Sequence, residues 1–218
     1  MRTLDPIKHA ENRNRIVIAA RKLFAAQGVA ETSMAQIAKA CRVTKATLYH
    51  YFKGKENILE SIFNLSLEEH DRFVESIRVE GGLEKTLEEV GRRYMEILDQ
   101  PSTLEMMRIF QNEGMKSSVI TRHYVTRNGK RMENYLRMGV EKGVLPDTDP
   151  AILRNVVFTF FGALEHHFVH AHVLKCEFSS GGDEGYIRFL AKMFSRTLEA
   201  IRQMALEGQI PKGGVTTP

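Results

Sequence analysis

Several features that would assign this chain to a common class of protein are missing from its sequence. Its two cysteines, Cys41 and Cys176, lie far apart without a CxxC pattern, so we predict free, reduced thiols rather than a disulfide framework. No run of about 18 apolar residues occurs, and residues 1–6 lack the apolar core of a signal peptide. We therefore expect no membrane span and a cytoplasmic protein. With 6 Pro and 16 Gly in 218 residues, turn formers are scarce, which favours helix.

Signatures of catalysis are also missing. The sequence contains no phosphate-binding loop, no dinucleotide-binding glycine fingerprint and no spacing typical of a Ser/His/Asp triad. We therefore expect a protein that is not an enzyme and that holds no cofactor and no structural metal.

The apolar residues recur at intervals of three and four rather than two, which predicts an all-α protein of about nine helices. Glycines and capping residues place the ends of these helices. Capping boxes begin at Ser33 and at Ser102, Thr44 caps a short third helix, and Asp149 precedes a proline at the first helical position. The predicted helices cover about 12–27, 34–41, 45–52, 55–79, 83–99, 102–114, 118–142, 150–175 and 183–207.

The charge is distributed unevenly along the chain. Residues 1–55 hold eleven Lys and Arg against three acidic residues, a net charge of +8, whereas the remaining residues carry −4. A basic segment on an acidic remainder is typical of a surface that meets nucleic-acid phosphates. We predict a DNA-binding domain over 1–55, a larger helical domain over 56–208, and a disordered tail over 209–218.

The second and third helices, joined by a tight turn at Arg42, fit a helix-turn-helix. At 100° per residue, Leu48 and Phe52 point inward from the third helix. Its remaining face is rich in hydroxyl, imidazole and amino groups, which suits a major groove: the small Ala46 permits close approach, and Thr47 and His50 can reach base edges. Nearby phosphates are expected to meet Lys45, Tyr49, Tyr51, Lys53 and Lys55.

This part of the sequence resembles the TetR (tetracycline-repressor) family. The resemblance rests on Ile18–Phe24, Gly28, Thr32–Ala38, Val43–Phe52 and Lys55–Glu56, within residues 12–60. One departure is Arg42, which stands where the family usually has glycine. Arg42 either costs some stability through a positive φ or sits in an ordinary turn, and in both cases its charge can meet a phosphate.

The resemblance implies a dimer that binds a palindromic operator in double-stranded DNA and is released by a small-molecule effector. It thereby makes residues 56–208 the ligand-binding and dimerisation domain. It also implies that Thr32 and Ser33 bind a DNA phosphate and that Tyr49 and Lys55 contact the DNA backbone. The complete predicted DNA-binding set is Thr32, Ser33, Arg42, Thr44, Lys45, Ala46, Thr47, Tyr49, His50, Tyr51 and Lys55.

The larger domain has no motif of its own, but its aromatic residues and methionines suit an adaptable apolar pocket. Cationic residues do not cluster among them, so we expect an apolar or aromatic effector. Gly162 and Ala163, together with the last amphipathic helix, predict a dimer interface over about 150–175 and 183–207. The predicted ligand-binding residues are Tyr94, Met107, Phe110, Tyr124, Tyr135, Phe161 and His167.

Two alternatives remain open. His166 and His170 are four residues apart, a spacing that can bind a metal on one helix face, so a helical-bundle metalloenzyme is one of them. The chain offers no obvious third and fourth ligand, and histidines packed at an interface or pocket rim are the plainer explanation. The other alternative is an architectural DNA-binding protein without an effector.

Overall fold

The computed structural model describes residues 6–113, 132–176 and 181–212. It confirms the all-α class, and no strand occurs within those ranges. The helices are α1 (Pro6–Gln27), α2 (Met34–Ala40), α3 (Lys45–Tyr51), α4 (Lys55–Ser76), α5 (Leu83–Leu98), α6 (Pro101–Glu113), α7 (132–141), α8 (Pro150–Phe168) and α9 (Gly182–Leu206), with a π-helical turn at Val169–Val173 directly after α8.

Local end signals place most of these helices where the sequence predicts them. Ser33 forms the complete capping box with Gln36, and the Asp149 carboxylate accepts a hydrogen bond from the backbone N–H of Ala151. Gly28 has a φ of 86°, a left-handed conformation that stops α1 at no steric cost.

Other boundaries differ from the prediction. The first helix begins at Pro6, six residues earlier than expected. The sixth begins at Pro101 rather than after the predicted Ser102 capping box, because proline fits the first helical position. The predicted start of α7 near residue 118 lies outside the described residues. The first residues of the predicted disordered tail contact the folded protein, because the Thr148 hydroxyl donates a hydrogen bond to the Pro211 carbonyl at 2.8 Å.

One compact unit holds α1 to α3, α4 as far as Arg72, and α6. Its buried centre is built from one stripe of each helix, and Leu48, predicted to point inward, is fully buried. Helix α6 closes this core with Met106 and Ile109. Arg21 of α1 forms a largely buried ion pair with Glu105 of α6, with 2.7 Å between Nε and Oε2.

The second unit contains the chain from Phe73 to Gln100 and the described residues from 132 onward. Within it α5 packs against α8 and α9. The approach to α9 is close at Gly91, where an added Cβ would lie 3.0 Å from Cγ2 of Ile187. Lys142 caps the end of α4, because its Nζ donates to the carbonyls of Val74, Glu75 and Ile77 at 3.0–3.3 Å. Within the described ranges, no helix is both long and apolar enough to cross a membrane.

Candidate DNA-binding site

The turn between α2 and α3 is a Schellman motif. The N–H of Val43 donates to the carbonyl of Ala38 at 3.0 Å, and the N–H of Arg42 donates to that of Lys39 at 3.1 Å. Arg42 has a φ of 55°, so it occupies the left-handed position that glycine fills at low cost. The structure thus decides between the two possibilities left open by the sequence: Arg42 carries backbone strain, and its side chain is exposed.

Helix α3 presents a continuous polar and aromatic face. Thr44 caps its N-terminus, since the Thr44 hydroxyl accepts a hydrogen bond from the Thr47 N–H at 3.1 Å. Leu48 is fully buried beneath the helix, whereas Tyr49 is 53% exposed. Tyr51 is half-buried. The other predicted groove-facing residues, all of them exposed, are Lys45, Ala46, Thr47 and His50.

Two predicted phosphate ligands are instead used inside the protein. Thr32 is 0% exposed, and its hydroxyl donates to the Gly28 carbonyl at 2.7 Å. That burial removes the Thr32 side chain from any phosphate, although the exposed Ser33 beside it stays in the predicted set. Lys55 Nζ donates to the carbonyls of Val29 and Ala30 at 2.7 and 3.0 Å. Both side chains therefore brace the turn that precedes α2.

Helix α1 contributes side chains to this region that sequence reasoning missed. The ring of His9 packs against Tyr51, with 4.7 Å between centroids, and lies 6.1 Å from the ring of His50. One turn further, the Arg13 guanidinium sits 5.0 Å from the centre of the Phe52 ring. Asp5-Pro6 repeats the Asp-Pro pattern that predicted the start of α8, so the sequence did contain a signal for a longer α1.

A cavity of about 400 Å³ lies beside the C-terminal end of α3. Its lining includes Arg13, Tyr51 and Lys53 together with asparagine, serine and glutamate side chains of α4. This polar lining does not match the apolar pocket expected for an effector.

The structure brings only some of the predicted ligand-binding residues together. The rings of Tyr94 and Phe161 lie 4.6 Å apart, and Phe73 approaches both, at 6.0 and 6.4 Å. These three residues form an aromatic cluster in the second unit. Phe110 belongs to the first unit, where it packs edge-to-face on Phe63 at 5.3 Å. Met107 and Tyr135 are half-buried in the first and second units, and Tyr124 lies outside the described residues.

His167 has structural partners. Its Nε2 lies 2.9 Å from Oδ1 of Asp183, and Nε2 of His172 lies 2.8 Å from Oδ2 of the same carboxylate. The His167 ring also stacks on Tyr186 at 4.1 Å. These contacts tie the end of α8 and the π-helical turn to the start of α9.

His166 and His170, the candidate metal pair, pack against each other with their rings tilted by 39° and 4.0 Å between the ring centroids. The Nδ1 of His170 lies 2.9 Å from the His166 carbonyl. In the part of the chain that the structure describes, no group of three or more His, Cys, Asp or Glu side chains could hold a metal ion.

Helices α8 and α9 also carry an exposed apolar face. Phe158 is 52% exposed on α8, and Phe189 and Met193 are 61% and 41% exposed on α9. A Cβ added to Gly162 would meet no atom within 4 Å. By contrast, the apolar stripe that makes α9 amphipathic lies mainly in the core of the protomer. Its residues Ile187, Leu190, Phe194 and Leu198 are buried, and Ile201 is half-buried.

Comparison with known proteins agrees with this architecture. Residues 16–62, which run from α1 through α3 into α4, match the family model described as "Bacterial regulatory proteins, tetR family". This segment of the chain is therefore that of a helix-turn-helix regulator of the TetR family, as the sequence resemblance implied.

Individual TetR-family relatives show how far the similarity extends. The transcriptional regulator SrpR of Pseudomonas putida is 28% identical over 140 residues, which cover 62% of this chain and 64% of SrpR. Among solved structures, the flavonoid-responsive regulator FrrA is 26% identical to this chain, with a TM-score of 0.64. The aligned region covers 86% of this chain and 97% of FrrA. GusR of Salmonella enterica is 24% identical, with a TM-score of 0.63. The aligned region covers 91% of this chain and 100% of GusR. FrrA and GusR thus share the fold over nearly their whole length.

Proposed function

We propose that this TetR-family protein is a dimeric repressor that binds palindromic operator DNA through α3 and is released when a small apolar or aromatic effector binds. In this proposal residues 1–55 bind DNA in the cytoplasm, residues 56–208 bind the effector and form the dimer, and the protein has no catalytic activity. The exposed face of α3 carries the DNA-binding part, because Thr47 and His50 stand at the surface of a helix anchored from below by Leu48. A face of this composition suits base edges in the major groove.

The dimer is proposed to form through α8 and α9. Large exposed apolar side chains on adjacent helices are costly in water and mark protein interfaces. Phe158, Phe189 and Met193 supply such a face, and Gly162 permits close helix contact. Phe189→Glu should therefore give a monomer in sizing with light scattering. Arg188→Glu places the same side chain at an exposed position on the same helix, turned about 100° away from Phe189. It is the matched control and should remain dimeric.

The aromatic cluster of Phe73, Tyr94 and Phe161 is the proposed centre of effector recognition. The cluster contains three aromatic rings and one polar group, the Tyr94 hydroxyl, which donates a hydrogen bond to the Glu165 carboxylate. Aromatic side chains with few polar groups among them favour an apolar or aromatic ligand. FrrA is described as flavonoid-responsive, which supports an effector of this chemical class.

Helix α6 is the proposed route from effector to DNA. It follows α5 directly in the chain, and its two ends are attached to the DNA-binding helices. Near its start Glu105 pairs with Arg21, and at its end the Glu113 carboxylate accepts the N–H of Val29 at 3.0 Å. A displacement of α6 is thereby passed to α1 and to the turn before α2. Two recognition helices in a dimer must stay about 34–36 Å apart to enter successive major grooves, so a small displacement suffices to weaken binding.

Selection from genomic fragments, followed by footprinting, tests the DNA-binding part. A palindromic footprint is expected, and Thr47→Ala or His50→Ala should relax the preference at individual base pairs by about 1–3 kcal/mol per lost contact. Lys45→Ala, the control, should weaken binding to all sequences alike.

Calorimetric titration of flavonoids and other small aromatic compounds, with and without the selected operator, tests the effector part. Linkage requires that operator and effector weaken each other by the same factor. Equal effector affinities in the two titrations would contradict release by an inducer. Binding to DNA without sequence preference would instead favour an architectural protein.

A further inference from the structure

The N-terminal turns of α1 pack against the C-terminal end of the recognition helix α3. His9 and Arg13 are four residues apart and so lie on one face of α1. His9 packs on Tyr51, while Arg13 covers the ring of Phe52 and donates from Nη2 to the Ser61 hydroxyl at 2.6 Å. This face of α1 therefore contacts the two residues at which α3 ends.

Three rings form one cluster at this contact. The His9 and Tyr51 rings are tilted by 36° at 4.7 Å, and the His50 ring stands edge-on to both, at 82° in each case. Offset and edge-to-face arrangements are the favoured geometries for aromatic pairs. The cluster thus holds the rings of two groove-facing residues in one arrangement before DNA arrives.

Preorganisation of this kind affects base selection. An exposed imidazole on a free helix samples several rotamers, and binding must select one of them at an entropic cost. The His50 ring packs against Tyr51, and Tyr51 packs against His9. The rotamers of these side chains are therefore already restricted in the folded protein, so DNA binding has to remove less entropy. A contact held in one geometry also discriminates better against the wrong base.

We propose that His9 is a positioning residue for sequence-specific DNA binding, which acts by fixing the rings of Tyr51 and His50 on α3. This inference rests on the proposed DNA-binding function. His9 precedes residues 16–62, the stretch that matches the TetR family model, so the family pattern does not assign it a role.

The test compares His9→Phe, which keeps an aromatic ring, with His9→Leu, which keeps similar bulk but loses it. The wild-type protein first selects a duplex from a randomised double-stranded library, and this labelled duplex is the probe for all variants. His9→Leu should bind it roughly two- to tenfold more weakly, a range set by the usual strength of aromatic pairs. Repeated selection with His9→Leu should show relaxed preference at the base pairs that His50→Ala also relaxes, with an unchanged salt dependence. His9→Phe should keep both affinity and preference.

The outcomes separate positioning from other roles. If His9→Leu and His9→Phe both lose affinity and flatten the salt dependence by about one unit, His9 is a phosphate ligand and the proposal is overturned. If His9→Leu keeps the wild-type base preference, the proposal is equally overturned. Thermal melting of each variant controls for folding, and His166→Ala controls for loss of an exposed histidine in the other unit. Failure of the wild-type protein to enrich any duplex would refute the DNA-binding function itself, before any His9 variant is compared.

Discussion

Replacing Arg42 with glycine is expected to stabilise the fold and weaken DNA binding at the same time. Arg42 occupies the left-handed position of the Schellman motif between α2 and α3, with a φ of 55°. A side chain in that conformation is crowded against its own backbone, whereas glycine is not. The exposed guanidinium is also placed beside the N-terminus of the recognition helix, where it can meet a phosphate.

The two effects have separate magnitudes. The left-handed conformation costs an L-residue about 1–2 kcal/mol. Glycine avoids this cost, but it lowers the free energy of unfolding by roughly 0.5–1 kcal/mol because the unfolded chain has more conformational freedom. Subtracting the midpoints of these two ranges gives a net gain in the free energy of unfolding of about 0.75 kcal/mol for Arg42→Gly. Loss of one phosphate contact per protomer should flatten the dependence of log K on log salt by about 0.9 units per protomer.

Arg42→Ala is the matched control, because it removes the charge and keeps the strained backbone. Urea denaturation at one fixed protein concentration should show Arg42→Gly above both Arg42→Ala and the wild type, which differ little from each other. Both variants should lose the same amount of salt dependence. Equal stability of the Gly and Ala variants would refute the strain argument, and an unchanged salt dependence in both would refute the phosphate contact.

Two further predictions concern stability. Glu105→Gln should lower the free energy of unfolding by about 3 kcal/mol, because the charge of the buried Arg21 is then no longer compensated. The double variant Arg21→Met/Glu105→Leu should recover much of that loss in denaturant titrations. Burial raises the pKa of the Cys41 thiol above 9.0 and that of the Tyr186 hydroxyl above 10.0. The unfolded chain therefore loses these protons first, so the stabilisation is complete below about pH 9 and is lost as the pH rises through the folded-state pKa values. A melting temperature that increased between pH 9 and pH 11 would contradict this sign.

Local signals explain which parts of the fold were predictable from the sequence. A cap acts within four residues, so Ser33, Thr44 and Asp149 could be recognised from their neighbours alone. Where two such signals compete, the outcome depends on their relative strength. At the start of α6 the fixed φ of Pro101 at the first helical position prevailed over the capping box beginning at Ser102.

Non-local pairings explain what could not be predicted. The Arg21–Glu105 ion pair joins residues 84 positions apart, and no local pattern marks the two as partners. The apolar pattern of α9 shows that one face is buried, but only the packed structure shows that Phe189 and Met193 form a second apolar face that remains exposed. For the same reason the sequence could not show that His167 is hydrogen-bonded to Asp183.

The charge of the N-terminal segment overestimates its contacts with DNA. Residues 1–55 contain eleven Lys and Arg, of which the structure describes all but Arg2. Among those described, at least four donate hydrogen bonds inside the protein: Arg13, Arg15, Arg21 and Lys55. If all eleven neutralised phosphates, log K would fall with log salt at a slope of roughly −10 per protomer, whereas the other seven allow at most roughly −6. We expect a measured slope no steeper than roughly −6 per protomer, because turning an internal cation outward would break the hydrogen bonds that it donates inside the protein. A slope near −10 per protomer would mean that these side chains turn outward on DNA, and that the braces described for the 28–32 turn and for α1 do not persist in the complex.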